Sequence, residues 1–392
     1  MNNYQNNSTQ TKSSLAFIGI FLYLIPMVSL FTSCHKNTID TNMLLGEWEF
    51  IQPESKEDEY GITTTYLRSD FKIMKDSLYE ENNGFYQNQP LPNNEHYSIY
   101  LGQKGKYYIT DDSLFVKSIK GKEYFAQKIV KVSKDYLTLY DKDSKLNFQY
   151  KRKPVVKPSD IPIDQITLSL APCFGTCPIS SISLDSEGNV YYYGISDTKL
   201  EGLYQGKADK IIFTEMVKKL NEIRFLELEN NYSQKNVTDL PGLSVSFISN
   251  NKIIKSIDDY GYAQPKELKG ILNMLIYAWQ SANLKKYEYN LPIFLYGFQP
   301  DISMNTSDSF YIQSLLFKAK QSDKEFTSKY RTTAQLILPE NFDYEKLDSM
   351  DRSISTDGQY FKIQKENKDF VTLDIGFDVI STNKKLFDLH KN

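Results

Sequence analysis

The chain reads as a multidomain α+β protein. An antiparallel β-barrel or sandwich comes first, then an antiparallel sheet with two helices on one face, then a smaller C-terminal α+β segment. Three observations predict this. Residues 43–153 are built from short runs rich in Val, Ile, Tyr, Phe and Thr, with no helical period between them. Amphipathic stripes at 3.6-residue spacing appear only beyond residue 200. Between the two regions lies a stiff stretch, Pro154–Pro162 (PVVKPSDIP), in which three prolines fix φ and supply no amide hydrogen.

The first segment, residues 43–153, opens with LLGEWEF. YLRSDFKI, HYSIYLG, KYYIT, SLFVKSI, EYFAQKIVKV, YLTLY and LNFQYKR follow, all strand-like. Turn-like separators stand between them, among them Glu81-Asn82-Asn83-Gly84, Gly102–Gly105 and Lys120-Gly121. Seven or eight strands in so short a stretch suit a closed barrel, which removes exposed edges. Gly46-Glu47-Trp48 on the first strand and Arg152 on the last resemble the Gly-x-Trp signature and stacked arginine of lipocalin-like (calycin) barrels. That resemblance implies a Trp48–Arg152 cation–π contact closing the barrel floor, contributing about 0.5–2 kcal/mol. It also implies a cavity for a small apolar ligand, against which stands the habit of eight-stranded barrels of being filled by their own side chains.

The second segment, residues 163–284, follows the linker at 154–162. Gln165–Ala171, Ile179–Leu184 and Val190–Tyr193 read as strands, with Asp185-Ser186-Glu187-Gly188 turning the second into the third. A helix is expected over Ala208–Ile223, with Ile212, Met216, Leu220 and Ile223 on one face. A hairpin joins LSVSFIS to KIIKSI across Asn250-Asn251. The last helix, Pro265 to Ala282, carries Leu268, Ile271, Leu272, Leu275, Ile276 and Trp279 at i, i+3, i+4, i+7, i+8, i+11. Cys173-Phe174-Gly175-Thr176-Cys177-Pro178, the turn from Asp185 to Tyr192 and Gly194 resemble an uncharacterised bacterial domain-of-unknown-function family with a CFGxCP signature. The resemblance implies domain limits and no chemistry.

The third segment, residues 285–392, holds LPIFLYGF and TAQLILP as strands and FDYEKLDSMDRSI as a short helix. A final hairpin joins GQYFKIQ to FVTLDIGFDVI. SFYIQSLLFKAK fits strand or helix equally, and the segment packs as its own domain or as an extension of the second.

The N-terminus supplies an address. Leu15–Cys34 (LAFIGIFLYLIPMVSLFTSC) follows Lys12 and holds about 17 largely apolar residues, marginal for a membrane span. Leu30-Phe31-Thr32-Ser33-Cys34 resembles the lipobox of a bacterial lipoprotein signal peptide. That resemblance implies removal of residues 1–33 and acylation of Cys34, with palmitate among its fatty acids and the membrane as partner. Residues 34–42 then form a polar, mobile tether. No acidic cluster follows Cys34, so the periplasmic face of the outer membrane is favoured over the cell surface.

Export places Cys173 and Cys177 in an oxidising setting, where a bridge is the expected outcome. An extended chain would hold the pair about 13 Å apart, whereas a bridge needs Cα atoms within about 4.4–6.8 Å. Gly175 and Pro178 make the bend feasible. CxxxCP is also similar to the motif of thioredoxin-like copper-delivery proteins, which implies Cu(I) binding or thiol exchange at the same two residues. Free buried thiols are the third option. The histidines, His35, His96 and His390, all lie outside the second segment.

Other chemistry is not legible. There is no HExxH, no GxSxG, no phosphate-cradling glycine loop and no cofactor motif. Asp141-Lys142-Asp143-Ser144-Lys145 starts like a calcium loop, but Lys145 occupies a ligand position. Asp258-Asp259 and Asp348/Asp351 are paired carboxylates only if a cleft unites them. The net charge of −3, spread without long like-charged blocks, argues against a nucleic-acid partner and against a polybasic membrane contact. The function expected is that of a membrane-anchored, non-enzymatic binding or interaction module with a protein or small apolar ligand. Thiol redox or Cu(I) handling by Cys173 and Cys177 is the alternative.

Overall fold

The computed structural model describes residues 39–51, 68–90, 96–287, 297–334, 352–365 and 368–389, all within one compact unit, Ile39–Asn392. The expected leader, Cys34 and the tether up to Thr38 lie outside the described residues. From Ile39 onward the expected tether packs against the body. Ile39 packs on the barrel core, and the Asp40 carboxylate accepts from Asn42 N at the start of a 3-10 turn over Thr41–Leu44.

The first segment is a closed barrel of β1 (Gly46–Ile51), β2 (Phe71–Ile73), β3 (Leu78–Pro90), β4 (His96–Thr110), β5 (Ser113–Ser118), β6 (Phe125–Val132), β7 (Tyr136–Asp141) and β8 (Leu146–Arg152). Each strand pairs antiparallel with the next, and β1 pairs with β8. Period-2 alternation turns Trp48 and Phe50, Leu114 and Val116, Leu137 and Leu139, and Phe148 and Tyr150 inward. With Phe71, Ile73, Tyr79, Phe85 and Ile129 they fill the lumen. Their rings meet edge to face, Phe71 and Tyr150 at 4.8 Å, Phe50 and Phe148 at 5.9 Å. Each such burial stabilises the fold by roughly 1.5–3 kcal/mol.

Two expected separators are not turns. Glu81–Gly84 lies inside β3, where the register against β4 slips between Glu80 and Phe85. Gly102–Gly105 lies inside β4, so HYSIYLG and KYYIT are one strand. Gly102 takes φ +87°, and a Cβ on Gly105 would meet the Lys117 carbonyl at 2.6 Å. The glycines bend one long strand at a bulge instead of ending it.

The second segment is a sheet ordered β13-β15-β14-β9-β10-β11-β12-β16. Its strands are β9 (Gln165–Ala171), β10 (Ile179–Asp185), β11 (Asn189–Ser196), β12 (Gly202–Lys207), β13 (Asn231–Ser233), β14 (Gly242–Ser249), β15 (Lys252–Tyr260) and β16 (Lys285–Lys286). Its helices are α1 (Lys210–Glu222) and α2 (Lys266–Ile276). The expected all-antiparallel sheet is corrected at one pair. Between β12 near one edge and β13 at the other the chain crosses by way of α1, and β13 runs parallel to β15. Alternation divides the sheet: Ile166, Leu168, Ile182, Leu184, Leu243, Val245 and Phe247 occupy one face, where α1 and α2 cover them with Phe213, Met216, Leu220, Leu268, Ile271 and Leu275. Helix α2 stops short of Ala282, continuing only as a 3-10 turn over Ala278–Gln280.

The opposite face of this sheet is hydroxyl-rich: Thr167, Ser169, Ser181, Ser183, Ser244, Ser246 and Ser256, all buried. Helix α3 (Thr306–Leu316) lies on it. Ser244 Oγ meets Thr306 Oγ1 at 2.8 Å, and Ser246 and Ser256 donate to the Asp308 carboxylate at 2.6 and 3.1 Å. Tyr311, Ile312 and Leu316 pack into the C-terminal core. A helix enclosed on both sides carries no solvent stripe, which is why periodicity leaves SFYIQSLLFKAK ambiguous.

The C-terminal sheet is ordered β17-β21-β20-β19-β18, from β17 (Lys320–Gln321), β18 (Tyr330–Ala334), β19 (Arg352–Thr356), β20 (Tyr360–Gln364) and β21 (Phe370–Asp374). Helix α4 (Val379–Leu389) covers it with Val379, Ile380 and Phe387. The helix expected in FDYEKLDSMDRSI falls outside the described residues up to Asp351, and its last residues open β19. FVTLDIGFDVI is not one strand. It ends at Asp374, Gly376 turns at φ +87°, and Asp378 accepts from Ser381 N and Oγ at the start of α4. Most of LPIFLYGF and TAQLILP lies outside the described residues. Phe298 makes an isolated bridge to Ile302, and Thr333-Ala334 close β18.

Candidate functional site

The barrel floor forms where β1 meets β8. Trp48 and Arg152 are direct cross-strand partners, and the guanidinium carbon lies 4.1 Å from the ring centroid of the fully buried Trp48. Trp48 Nε1 donates to Leu44 O at 2.8 Å. Arg152 donates to three carbonyls, Lys134 O at 2.5 Å, Met43 O at 2.6 Å and Leu45 O. Gly46, at φ +132°, leaves the space the guanidinium occupies, since a Cβ there would collide with Nη1. The Gly-x-Trp spacing is therefore the geometry that lets one arginine cap the lumen and tie the N-terminal turn to the β6–β7 connection.

Beside this floor, between the barrel wall and α1 and α2, runs a cleft of about 810 Å³ bordered by Pro154–Pro158 of the linker. Its hub is Lys153. The ammonium is 2.6 Å from Glu267, 3.1 Å from Asp70 and 3.2 Å from Glu47. Burial alone would lower this amine, but the hydrogen bond and charge of Glu267, with Asp70 and Glu47, hold it above the ordinary lysine value. Burial works against the Glu267 carboxylate too, and Lys153 overcomes it, leaving that group below the usual range. Lys219 of α1 contacts Glu80 of β3. Burial pushes its amine down to about 8, with Glu222 opposing and Lys72 reinforcing.

The joint continues along α2. Asn82 Nδ2, on the β3 bulge, donates to Lys266 O at 2.9 Å, and Gln103 Nε2 donates to Gly270 O at 3.1 Å. A Cβ on Gly270 would strike the Asn82 carbonyl. Tyr100 stacks on Tyr277 at 5.3 Å, and Tyr100 N donates to Gln280 at 2.9 Å. The β3 bulge is thus a docking element, and the ionic cleft is one side of a fitted contact between barrel and sheet. Its cations and carboxylates pair with one another across the contact.

Cys173 and Cys177 lie in the β9–β10 connection and are bridged, with Cα atoms 5.7 Å apart. The bridge closes a loop whose tip residue, Phe174, is 87% exposed. Phe174 N donates to Asp239 O at 3.1 Å, and Gly175 takes φ +138°. The rest of the CFGxCP-associated pattern is structural. Asp185 accepts from Glu187 N and Asn189 N, Gly188 turns at φ +80°, Val190 enters the core and Tyr192 packs on Trp279 at 5.4 Å.

The remaining candidates do not converge. Asp258 and Asp259 are consecutive strand residues on opposite faces. Asp258 accepts from Asn305. Asp259 is raised by burial against the backbone amides of Gln264, Tyr262 and Ala263. Asp141 turns a loop by accepting from Asp143 N and Ser144 N, and pairs with Arg68 at 2.5 Å. Asp348, Asp351, His35 and His390 lie outside the described residues. Among the described residues no three His, Cys, Asp or Glu side chains stand together as a metal site.

Residues 164–278, the stretch that holds β9 to β15, α1, α2 and the disulfide loop, match the family model described as Domain of unknown function (DUF6438). No curated protein matches the chain. Among solved structures, a lipocalin-like protein from Bacteroides uniformis ATCC 8492 is similar at 13% identity. That match covers 29% of this chain and 99% of the other, with a TM-score of 0.17.

Proposed function

We propose that this chain is an exported, lipid-anchored interaction protein of the outer membrane, facing the periplasm through acylated Cys34. In this reading it has no catalytic role. The calycin-like barrel serves as a filled scaffold, and the disulfide loop of the DUF6438 domain contacts a protein partner. The observation that carries the reading is the bridged loop around Phe174. A bridge between Cys173 and Cys177 fits an oxidising compartment. It also presents a large apolar side chain to solvent on a preordered loop, where an aromatic anchor loses little entropy on binding.

The test is a photo-crosslinking amino acid placed at position 174 in living cells, with position 155, on the exposed linker, as control. Discrete adducts at 174 that are absent at 155, and that vanish when Cys173 is replaced by serine, are expected. Equal labelling at both positions contradicts the reading. The Cu(I) or thiol-exchange alternative uses the same pair in its reduced form, and thiol titration separates the two.

A further inference from the structure

Seven lysines stand against three carboxylates between residues 104 and 132, on a chain whose net charge is −3. In sequence they are interspersed with other residues, and no block forms. Strand pairing gathers them, because β4, β5 and β6 are neighbours in the barrel wall. Lys106, Lys117, Lys120, Lys122 and Lys131 make no ion pair among the described residues, while Lys104 pairs with Glu215 and Lys128 with Asp112. The outer wall and the β5–β6 turn expose Tyr108, Ile119, Tyr124 and Val130, and the barrel rim beside them exposes Phe125, the cross-strand partner of the core residue Val116. Apolar groups gathered on one surface and rimmed by polar residues mark an interaction site.

We infer that the β4–β6 wall of the barrel is a membrane-contacting face that binds anionic phospholipid headgroups. Its chemistry fits a bilayer interface, where tyrosine rings sit at headgroup depth and each lysine gains from the negative surface. The ring geometry separates this from a glycan platform. Tyr108 and Phe115 stack on each other, 4.7 Å apart and 3° from parallel. Tyr124 meets Tyr108 edge-on at 5.1 Å, and Lys117 Nζ sits 4.7 Å over the Tyr124 ring. Each contact takes one face or edge of a ring that a sugar would otherwise stack on. Edges, hydroxyls and ammonium groups are left for phosphate-bearing lipids.

Chain length points the same way, and here the inference rests on the anchor reading. Four residues, or five Cα–Cα steps, separate Cys34 from Ile39, which packs on the barrel core. Fully extended they span about 17 Å, so an acylated Cys34 would keep the barrel next to the bilayer.

The test uses the body alone, residues 35–392, which holds the compact unit whole and lacks the anchor. It is sedimented with vesicles of phosphatidylethanolamine and phosphatidylglycerol, with vesicles of phosphatidylcholine, and with insoluble cell-wall glycan. Binding to the anionic vesicles alone is expected, and it falls as salt rises. Lys120→Glu with Lys122→Glu weakens it at least about tenfold, whereas Lys120→Arg with Lys122→Arg retains it. Tyr124→Ser with Phe125→Ser weakens it while leaving thermal unfolding in place. Equal binding to both vesicle types, an unaffected Lys→Glu variant, or sedimentation with glycan in place of vesicles overturns the inference. Because the body lacks Cys34, this outcome is independent of whether that residue is acylated.

Discussion

Arg152 lies with its guanidinium 4.1 Å from the ring of Trp48, its direct partner across the β1–β8 seam, and donates to carbonyls from two other segments. One side chain thus closes the barrel, covers its largest core residue and anchors the N-terminal turn. Arg152→Ala is expected to cost about 2–4 kcal/mol, combining the lost cation–π contact with charged hydrogen bonds to three carbonyls. Arg152→Lys recovers less than half, because an ammonium lacks the planar fork. Urea unfolding of the three proteins checks both statements.

Gly270 is buried on α2 against the β3 bulge. In an ordinary helix Gly→Ala stabilises. Here the added methyl meets the Asn82 carbonyl, so Gly270→Ala is expected to destabilise by about 1–3 kcal/mol. Hydrogen exchange should quicken at residues 81–84 and 266–276 together. A stabilised protein would mean that the barrel and the sheet are not docked through this bulge.

Glu81 gives the barrel a pH dependence. Burial raises its carboxyl from the ordinary 4.5 to about 7, against hydrogen bonds with Ser69 and Tyr79, while Asp70 adds to the rise and Arg68 opposes it. The Tyr79 hydroxyl donates to it at 2.8 Å. Between pH 4.5 and 7 the folded chain therefore holds a proton that the unfolded chain has released, so stability falls as pH rises through this window. The full span amounts to about 3 kcal/mol. Glu81→Gln should flatten this part of the profile in denaturant titrations at stepped pH.

The bridge closes a short loop, so Cys173→Ser with Cys177→Ser should cost on the order of 2 kcal/mol. Thiol titration of the native, non-reduced body should find neither cysteine reactive. Two titrating thiols would favour the Cu(I) or exchange reading.

Much of the architecture was legible in the sequence because alternation and helical stripes report burial directly. Trp48, Phe50, Leu137 and Leu139 announce a barrel wall, and Leu268 to Trp279 a helix seated on a sheet. What escaped depends on contacts between segments distant in the chain. Asn82 and Gly84 have turn chemistry, yet α2 holds them inside a strand. Ser244 and Ser246 look solvent-facing, yet they meet α3, itself without a polar stripe because it is enclosed. Lys153 reads as the end of a basic YKRK run, and only folding brings Glu47, Asp70 and Glu267 around it. Gly102 and Gly105 read as a turn because glycine serves a bend inside a strand as readily as its end.

The anchor and the oxidised loop meet in a single measurement, the intact mass of the protein extracted from membranes without reductant. The account predicts a chain beginning at Cys34, heavier by its attached acyl groups and carrying a Cys173–Cys177 bridge. A chain that retains residues 1–33, without fatty acid and with both thiols free, would contradict it.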